Sequence, residues 1–292
     1  MTDDIQRVRR FNRAVTSEIG ALDSSFLGLG RPLGPTRVLN AIGHGFNDVA
    51  AIRDYLGLDS GLLSRILRGL EAEGLLSIEA NPDDNRRRTA RLTPEGEAAF
   101  GEYERLVNAQ AEDILNRHSQ RQALLDAMDL VATVLGQDRI TVEEADPRSP
   151  DAKTCLAHYY GELARRFDTG FDVNLSRDPD AQDMLRPRGV FLVAMSDGMP
   201  IGCVGLKGHG GEEAEIKRLW VAPVARGLGV GVRLMESVEE AARDLGITLL
   251  RLDTNSALPE AAQLYHKLGW TEIERFNDDP YPDMFFEKRL AP

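Results

Sequence analysis

The run VARGLGVG, residues 224–231, places glycines where a backbone can approach a phosphate-bearing ligand closely. Three ligand classes compete for it: a dinucleotide, a nucleoside triphosphate and coenzyme A. A dinucleotide fingerprint needs a further glycine where Val232 stands, and a P-loop needs a lysine that is missing here. The pattern Arg226-x-x-Gly229-x-Gly231 remains, after a predicted strand and at the start of a predicted helix. Backbone N–H groups converging there suit a pyrophosphate.

The composition is that of a folded protein long enough for two domains, with 292 residues, 42% of them hydrophobic and 28% charged. The net charge of −12 argues mildly against nucleic-acid binding. Every cation before residue 139 is an arginine, however, and several are clustered. Cys155 and Cys203 have neither metal-ligand nor disulfide spacing, so we expect both to be buried and no metal to be bound. With no apolar run of membrane length and no signal-peptide pattern, we expect a cytoplasmic protein without a membrane partner.

Two regions differ in their hydrophobic patterning. Residues 2–138 are predicted to be mostly helical, with one two-stranded hairpin, and Asn47 and Asp59 stand at predicted helix N-caps. The segment GQDRITVEEADPRSPD resembles a domain joint, and strands and helices alternate after it. We therefore predict domains at 1–138 and 139–292.

Four segments of the second region follow one another in a recognisable order. These are EIKRLWV, the glycine run, LDTN with the following EAAQLYHKLGW, and the closing FNDDPYPDMFFEKRL. Together they resemble the GNAT superfamily of acyltransferases, whose pattern at the glycine run is R/Q-x-x-G-x-G/A. The resemblance covers residues 139–292 and implies an α/β domain with a mixed, mostly antiparallel sheet. It also selects coenzyme A, and it implies acetyl transfer from acetyl-CoA to a primary amine, carried by a small molecule or by a protein.

The resemblance assigns roles to individual residues. The strand EIKRLWV would splay from its neighbour and offer main-chain groups to the pantetheine arm. Tyr265 occupies the general-acid position, since a tyrosine with an ordinary pKa of about 10 can protonate a departing thiolate. Glu215 is a possible base, acting directly or through water. The implied cofactor-binding set is Leu219, Val221, Arg226, Gly227, Leu228, Gly229, Val230, Gly231 and Asn255.

Each of these side chains also has a structural alternative. Tyr265 could simply pack on the sheet, and Glu215 could be an exposed residue near a strand end. Asn255 could form an Asx turn before Ser256. Spacing does not distinguish the further candidates for an acceptor pocket from ordinary turn residues; they are Asp253, Asn277, Asp278 and Tyr281.

The first region carries a second set of candidate residues, on the predicted helix DSGLLSRILRGLEAEGLL. One face of this helix is apolar, and the other carries Ser60, Ser64, Arg65 and Arg68. Small polar groups and arginines can reach base edges and phosphates, although any solvated helix face is polar. The hairpin that follows has three adjacent arginines, which a minor groove or a row of phosphates would attract: Arg86, Arg87 and Arg88.

The segment LGLDSGLLSRILRGLEAEGLLSIEANPDDNRRRTARLTPEGEAAF resembles the MarR family of winged helix-turn-helix regulators. The matching features are a recognition helix like LDxSxxSRxLRxLExxGL, an Asp-Arg-rich wing and the closing LTPEG. Gly61, inside the recognition helix, departs from a good helix sequence. The resemblance covers residues 5–136 and implies a mainly α domain that reads a pseudo-palindromic operator in double-stranded DNA as a homodimer. The implied dimer interface includes Phe11, Val15, Leu124 and Leu125.

Three interpretations follow from this fusion. The chain could be a DNA-binding dimer with an active N-acetyltransferase, or a regulator whose GNAT domain only senses acyl-CoA or another small molecule. It could also be an enzyme that uses the winged helix for dimerisation or for protein contacts. The complete glycine loop, Tyr265 and Asn255 favour activity over sensing, and the arginine wing disfavours the third interpretation. We therefore favour a bifunctional transcriptional regulator and N-acetyltransferase.

Overall fold

Two units, each with its own apolar core, make up the chain in the computed structural model. Residues 2–81, 84–167, 170–172, 182–208 and 210–291 are described. Internal contacts divide the chain into Met1–Arg121 and Gln122–Pro292. Helix α6 (Arg121–Leu135) therefore groups mostly with the second unit. The functional boundary near residue 139 stays a prediction.

The first unit is a helix-turn-helix followed by a hairpin and a long helix. Its strands are antiparallel, with Leu76 opposite Leu92. Leu39, Ile52 and Leu67, from three different helices, are buried in one core. This is the predicted mainly α winged helix-turn-helix. Its elements are α1 (Thr2–Glu18), α2 (Leu33–Gly43), α3 (Val49–Leu56), α4 (Ser60–Ala72), β1 (Leu76–Asn81), β2 (Asp84–Leu92) and α5 (Pro94–Arg117).

The turn between α3 and α4 is defined by the residues that end and begin the helices. Gly57 ends α3 with φ of 63°, a left-handed conformation that costs a residue with a Cβ roughly 1–2 kcal/mol. Asp59 then caps α4, accepting the N–H of Leu62 at 2.8 Å. The predicted N-cap at Asp59 is confirmed.

The predicted N-cap at Asn47 is wrong by one residue. The side chain of Asp48 caps α3, accepting the N–H of Ala51 at 3.0 Å. Asn47 instead belongs to the contact with the wing, because its carbonyl accepts the N–H of Ala90 at 2.8 Å. The start of α3 is thus joined to β2 directly.

The second unit is built on a seven-stranded sheet in the order β3-β4-β5-β6-β7-β9-β8. Strands β6 and β7 are parallel and the other neighbouring pairs are antiparallel. The predicted α/β domain with a mixed, mostly antiparallel sheet is confirmed. After α6, its elements are β3 (Thr141–Glu144), α7 (Pro150–Arg166), β4 (Val190–Ser196), β5 (Met199–Gly208), β6 (Glu213–Val221), α8 (Val230–Asp244), β7 (Leu249–Thr254), α9 (Pro259–Lys267), β8 (Thr271–Ile273) and β9 (Met284–Arg289).

Helices cover both faces of this sheet, as the alternation of residues along its strands shows. Leu192 packs into one core with Leu234 of α8. Its neighbour Phe191 packs into another core with Cys155 of α7 and Cys203 of β5. Successive strand residues point to opposite faces, so α8 and α7 lie on opposite sides. Both cysteines are free and buried, as predicted.

Two further observations concern the chain as a whole. The three-residue edge strand β8 was not predicted, because a segment that short gives no clear alternation of apolar and polar residues. Among the described residues, no helix is both long and apolar enough to cross a bilayer.

Candidate functional site

Strand β6 contains a bulge near the middle of the sheet. Its register with β5 shifts between Cys203 and Gly205. Arg218 lies on β6 opposite this shift, and its φ of 61° is uncommon for a residue with a side chain. Its carbonyl accepts a hydrogen bond from the Cys203 thiol at 3.3 Å. The bulge changes the direction of the last residues of β6.

On its other side, β6 parts from β7. The paired register ends at Ile216 and Leu252, although β6 continues to Val221 and β7 to Thr254. The predicted splay of this strand is therefore present. Leu219 lies in the portion of β6 beyond the last pair and lines the cavity that the two strands leave between them.

The predicted cofactor-binding loop leads directly into α8. Gly227 and Gly229 have φ of 81° and 78°, and a Cβ on either would meet nothing within 4 Å. Gly229 is the N-cap of α8, Val230 is its buried first residue, and Leu228 packs partly against the core. Gly231 differs, since a Cβ there would lie 3.3 Å from the side chain of Leu264. The loop thus offers open space at two glycines beside a helix N-terminus, where an anion is favoured.

Arg226 is engaged in a network that the sequence analysis missed. Its Nη2 donates to both carboxylate oxygens of Glu162, at 2.8 and 2.6 Å, and its Nε donates to the Val221 carbonyl at 3.1 Å. The indole N–H of Trp220 donates to the same carboxylate at 3.0 Å. Glu162 therefore joins α7 to the end of β6 and to the loop. Nothing in the local spacing around Arg226 indicates this partner.

A cavity of about 160 Å³ lies where β6 and β7 part. Four of the predicted site residues line it: Glu215, Leu219, Asn255 and Tyr265. They come from β6, the end of β7 and α9, so the fold brings together residues that are well separated in sequence.

Tyr265 is 5% exposed, and its ring lies 6.2 Å from that of Trp270 and 5.5 Å from that of Phe286. Burial, and to a lesser extent the charge of Asp253, raises the pKa of Tyr265. Its hydroxyl therefore remains protonated up to a higher pH than that of an exposed tyrosine. Tyr159 of α7 lines the same cavity, and its pKa is also raised, mainly by burial. This second tyrosine was not predicted.

Glu215 is part of a charged group at the same cavity. The Nζ of Lys217 lies 3.1 Å from Glu215 Oε2 and 2.6 Å from Asp253 Oδ2. Asn277 donates to the same Asp253 oxygen at 2.6 Å. Burial lowers the pKa of Lys217, but the two carboxylates outweigh it and raise that pKa overall. The side chain that neutralises Glu215 is therefore a stable ammonium group.

The four acceptor-pocket candidates divide into two groups. Asp253, Asn277 and Tyr281 line the cavity, whereas Asp278, which is also described, lies outside its lining. Sequence reasoning could not separate them, because three of the four stand within one irregular segment.

Asn255 makes the Asx turn that was named as the alternative to cofactor binding. Its Oδ1 accepts the N–H of Ala257 at 2.8 Å. Its Nδ2 donates to the carbonyl of Tyr281 at 2.7 Å. The amide oxygen thus fixes the local turn, and the amide nitrogen holds the segment that carries Tyr281.

In the first unit, α4 presents the predicted polar face to solvent. Ser60, Ser64, Arg65 and Arg68 are exposed, and the opposite face is buried. Asp59 begins the helix, so its N-terminal turn is fixed next to the first of these residues. The small polar groups of this face are therefore accessible, as they must be for a helix that lies in a DNA groove.

A concave surface of about 430 Å³ brings α3, α4 and the wing together. Its lining includes five of the seven predicted DNA-binding residues: Ser60, Ser64, Arg68, Arg87 and Arg88. Arg65 is exposed elsewhere on α4. Arg86 lies in β2, but its side chain is outside the described residues.

Arg87 also has a partner within the unit. Its Nε lies 3.0 Å from Oδ2 of Asp48, the N-cap of α3. The N–H of Ala51 and, to a smaller extent, the Arg87 guanidinium hold the pKa of Asp48 below its ordinary value. Arg87 thus links the wing to the helix-turn-helix, and Arg88 lies beside it in the same concave surface.

The described ranges of both units offer no evident metal centre. No group of three or more His, Cys, Asp or Glu side chains able to hold a metal ion occurs within them.

Comparison with known proteins gives matches in both units. The acetyltransferase (GNAT) family model matches residues 157–270, and the MarR family model matches residues 27–87. An IAA acetyltransferase from Azospirillum brasilense is 38% identical over 117 residues, which are 38% of this chain and 74% of that protein. An uncharacterised N-acetyltransferase from Schizosaccharomyces pombe is 35% identical over 102 residues, 34% of this chain and 63% of that protein.

A crystal structure of a GNAT-family acetyltransferase from Staphylococcus aureus also matches. It is 20% identical, and the match covers 52% of this chain and 99% of that one with a TM-score of 0.47. The identity to the Azospirillum protein and the share of it that is covered establish the relationship of the second unit. The chain belongs to the GNAT acetyltransferase family, and a MarR-family region precedes its acetyltransferase domain.

Proposed function

We propose that this protein is a bifunctional transcriptional regulator and N-acetyltransferase, which transfers acetyl from acetyl-CoA to a primary amine. The observation that carries the proposal is the parting of β6 from β7 after Ile216 and Leu252, beside the glycine loop. The cavity formed there contains Tyr265, a protonated donor. A thioester with a long polar arm fits this combination of an open strand edge, an anion-binding loop and an acid.

The residues present fit acetyl-CoA as cosubstrate. The main chains of Leu219 and Val221 bind the pantetheine arm along the splayed part of β6. The loop of residues 226–231 binds the pyrophosphate through its N–H groups and the N-terminus of α8. The open space at Gly227 and Gly229 supports this, because a side chain at either position would occupy it. Asn255 lines the same cavity and belongs to the proposed cofactor-binding set.

The chemistry needs one proton removed and one delivered. Acetyl-CoA supplies a thioester carbonyl, which the neutral amine attacks. Glu215 takes the proton that the amine loses, directly or through water, once its contact with Lys217 loosens. Tyr265 gives its hydroxyl proton to the departing sulfur as the carbon–sulfur bond breaks, and it recovers a proton afterwards. The products are an amide and a free thiol.

The first unit binds double-stranded DNA in the same proposal. The exposed face of α4 enters the major groove, and Arg88 with its neighbours in the wing contacts phosphates or the minor groove. One apolar row on α1 supports a homodimer that reads a pseudo-palindrome, since Ile5, Val8, Phe11 and Val15 are all exposed on it.

Thiol release from acetyl-CoA, measured over a panel of primary amines with the full-length protein and with Tyr265→Phe, tests the catalytic half. Amine-dependent release that falls in the variant supports it. Tight acetyl-CoA binding without thiol release in the presence of any amine supports a sensor instead. Selection of binding sites from random DNA tests the other half, and failure to enrich any sequence contradicts it.

A further inference from the structure

Part of the wall of the second unit's cavity is formed by aromatic side chains. Tyr160 stacks on Phe171 with ring centroids 5.7 Å apart and an interplanar angle of 13°. Phe171 lies 4.8 Å from Tyr281, and Phe167 lies 6.1 and 5.9 Å from these two rings. All four residues are half-buried and line the cavity. We call Tyr160, Phe167, Phe171 and Tyr281 the aromatic wall.

The aromatic wall continues toward the proposed proton donor. The ring of Tyr159 lies 5.3 Å from that of Tyr160. Tyr159 lines the cavity together with Tyr265 and Asp253. The cavity therefore has a polar end, with Asp253 and Tyr265, and an aromatic end. A ligand that spans both ends needs a polar group and a flat apolar group.

Hydrogen bonds hold the aromatic wall in place. The hydroxyl of Tyr281 accepts the N–H of Asp172 at 2.9 Å, and its carbonyl accepts Asn255 Nδ2 at 2.7 Å. Asn277, in the same segment, donates to Asp253 at the end of β7. The segment carrying Tyr281 is thus tied to the strand at the polar end. A wall fixed in this way discriminates between ligands by shape, because it does not collapse onto a smaller one.

One cation of the cavity lining is already paired. Lys217 is neutralised by Glu215 and Asp253, so it does not offer a free charge to an acidic group of the acceptor.

We propose that the acceptor is an arylalkylamine: a primary amine joined to an aromatic ring by a short aliphatic linker. Its ring packs on the aromatic wall, and its nitrogen lies at the polar end near Tyr265 and Asp253. Offset or edge-to-face contact with Tyr160 and Phe171 favours a ring over an alkyl chain of similar size. This inference rests on the proposed acetyl transfer and specifies its substrate class.

The test compares kcat/KM for 2-phenylethylamine, butylamine and putrescine with the full-length protein. We expect 2-phenylethylamine to be preferred over butylamine by about tenfold or more. Tyr160→Leu and Phe171→Leu should each reduce this ratio severalfold, mainly through the KM of the aromatic amine. Phe276→Leu is the matched control, because the Phe276 ring contacts Phe285 outside the cavity lining and the ratio should not change.

Each outcome separates the two proposals. Equal rates of thiol release with butylamine and with 2-phenylethylamine as acceptor would overturn the arylalkylamine assignment and leave acetyl transfer standing. Preference for putrescine does the same, since the rings would then hold a second cation. If none of the three amines and none of the wider panel caused thiol release from acetyl-CoA, both acetyl transfer and the arylalkylamine assignment would be overturned. The wild-type ranking decides these points even where a variant fails to fold.

Discussion

Glu162 holds Arg226 through both of its carboxylate oxygens, at 2.8 and 2.6 Å, across 64 positions of sequence. The arginine of the R-x-x-G-x-G pattern thus has a structural partner in addition to any role toward phosphate. Its Nε also donates to the Val221 carbonyl, at the end of the splayed strand. Arg226 therefore couples α7, the strand end and the glycine loop.

Replacement of either partner should weaken acetyl-CoA binding, because the loop loses the contact that positions it. We expect Arg226→Ala and Glu162→Gln each to raise the KM for acetyl-CoA, with a coupling of about 0.5–3 kcal/mol in a double-mutant cycle of binding. Steady-state kinetics and calorimetric titration measure both quantities. The control is Arg105→Ala, which removes an Arg–Glu pair also joined by two hydrogen bonds, on α5. Strictly additive effects would show that Arg226 acts on the ligand alone.

The glycine loop and the recognition helix could be predicted from sequence because their determinants are local. Gly229 is needed for its φ of 78° at a helix N-cap, and Asp59 is followed three residues later by the N–H that it caps. The position of Tyr265 followed from a motif, and the fold places it in the cavity. Each of these depends on residues within one or two turns of chain.

Contacts between distant segments could not be predicted in this way. Lys217 meets Asp253 only because β6 and β7 are parallel neighbours, and a sequence does not state that register. Phe171, which stacks on Tyr160, likewise contacts Tyr281 across more than a hundred residues. Their aromatic character was visible, but nothing nearby indicated that they would share one wall.

Gly229→Ala and Gly246→Ala form a matched pair that separates stability from cofactor binding. Both glycines have positive φ, 78° and 75°, and a Cβ on either meets nothing within 4 Å. They lie at opposite ends of α8. Each substitution should cost roughly 1–2 kcal/mol of stability from the left-handed backbone. Only Gly229→Ala should also raise the Kd for acetyl-CoA, by about tenfold or ~1.4 kcal/mol. Equal Kd values for the two variants would contradict the assignment of the loop.

Tyr265→Phe and Tyr159→Phe distinguish the two buried tyrosines as proton donors. We expect kcat to fall by about 10²-fold in Tyr265→Phe and to change little in Tyr159→Phe. Phe keeps the ring contacts with Trp270 and Phe286, so thermal stability should be preserved. A larger loss in Tyr159→Phe would reassign the donor to α7.

The pH dependence of the same reaction provides a second measure of Tyr265. Because burial raises its pKa, the hydroxyl stays protonated beyond the ordinary tyrosine value of about 10. Any alkaline fall in kcat that Tyr265 causes should therefore lie above that pH and disappear in Tyr265→Phe. A fall that begins below the ordinary value and vanishes in the variant would show that the donor is less buried than the structure indicates.

Asp48 should make the stability of α3 depend on pH in the acidic range. Its pKa is lowered in the fold, so its contribution is present above the ordinary value of about 3.9 and is lost as pH falls through the folded value. Hydrogen exchange of the α3 amides, the Ala51 N–H above all, should accelerate in acid relative to their intrinsic rates. Asp48→Asn keeps a capping side chain but removes the charge, and its protection should depend less on pH. Asp54→Asn, which alters an exposed pair with Arg53, should behave like the wild type.

Arg87 and Arg88 should contribute differently to DNA binding, although they are adjacent and line the same concave surface. Arg88→Ala should weaken binding to any sequence and reduce the slope of log K against log salt by about 1 for each bound protomer, because one phosphate contact is lost. Arg87→Ala should reduce affinity and also loosen the wing, because it breaks the contact with Asp48 and leaves that carboxylate facing the same surface. Fluorescence anisotropy from low to moderate salt, with hydrogen exchange of β2, measures both effects.

Arg91→Ala is the control, since Arg91 is exposed on β2 but outside the concave surface. If Arg91→Ala changed the salt slope as much as Arg88→Ala, the wing would attract DNA by net charge alone, without a defined contact at Arg88.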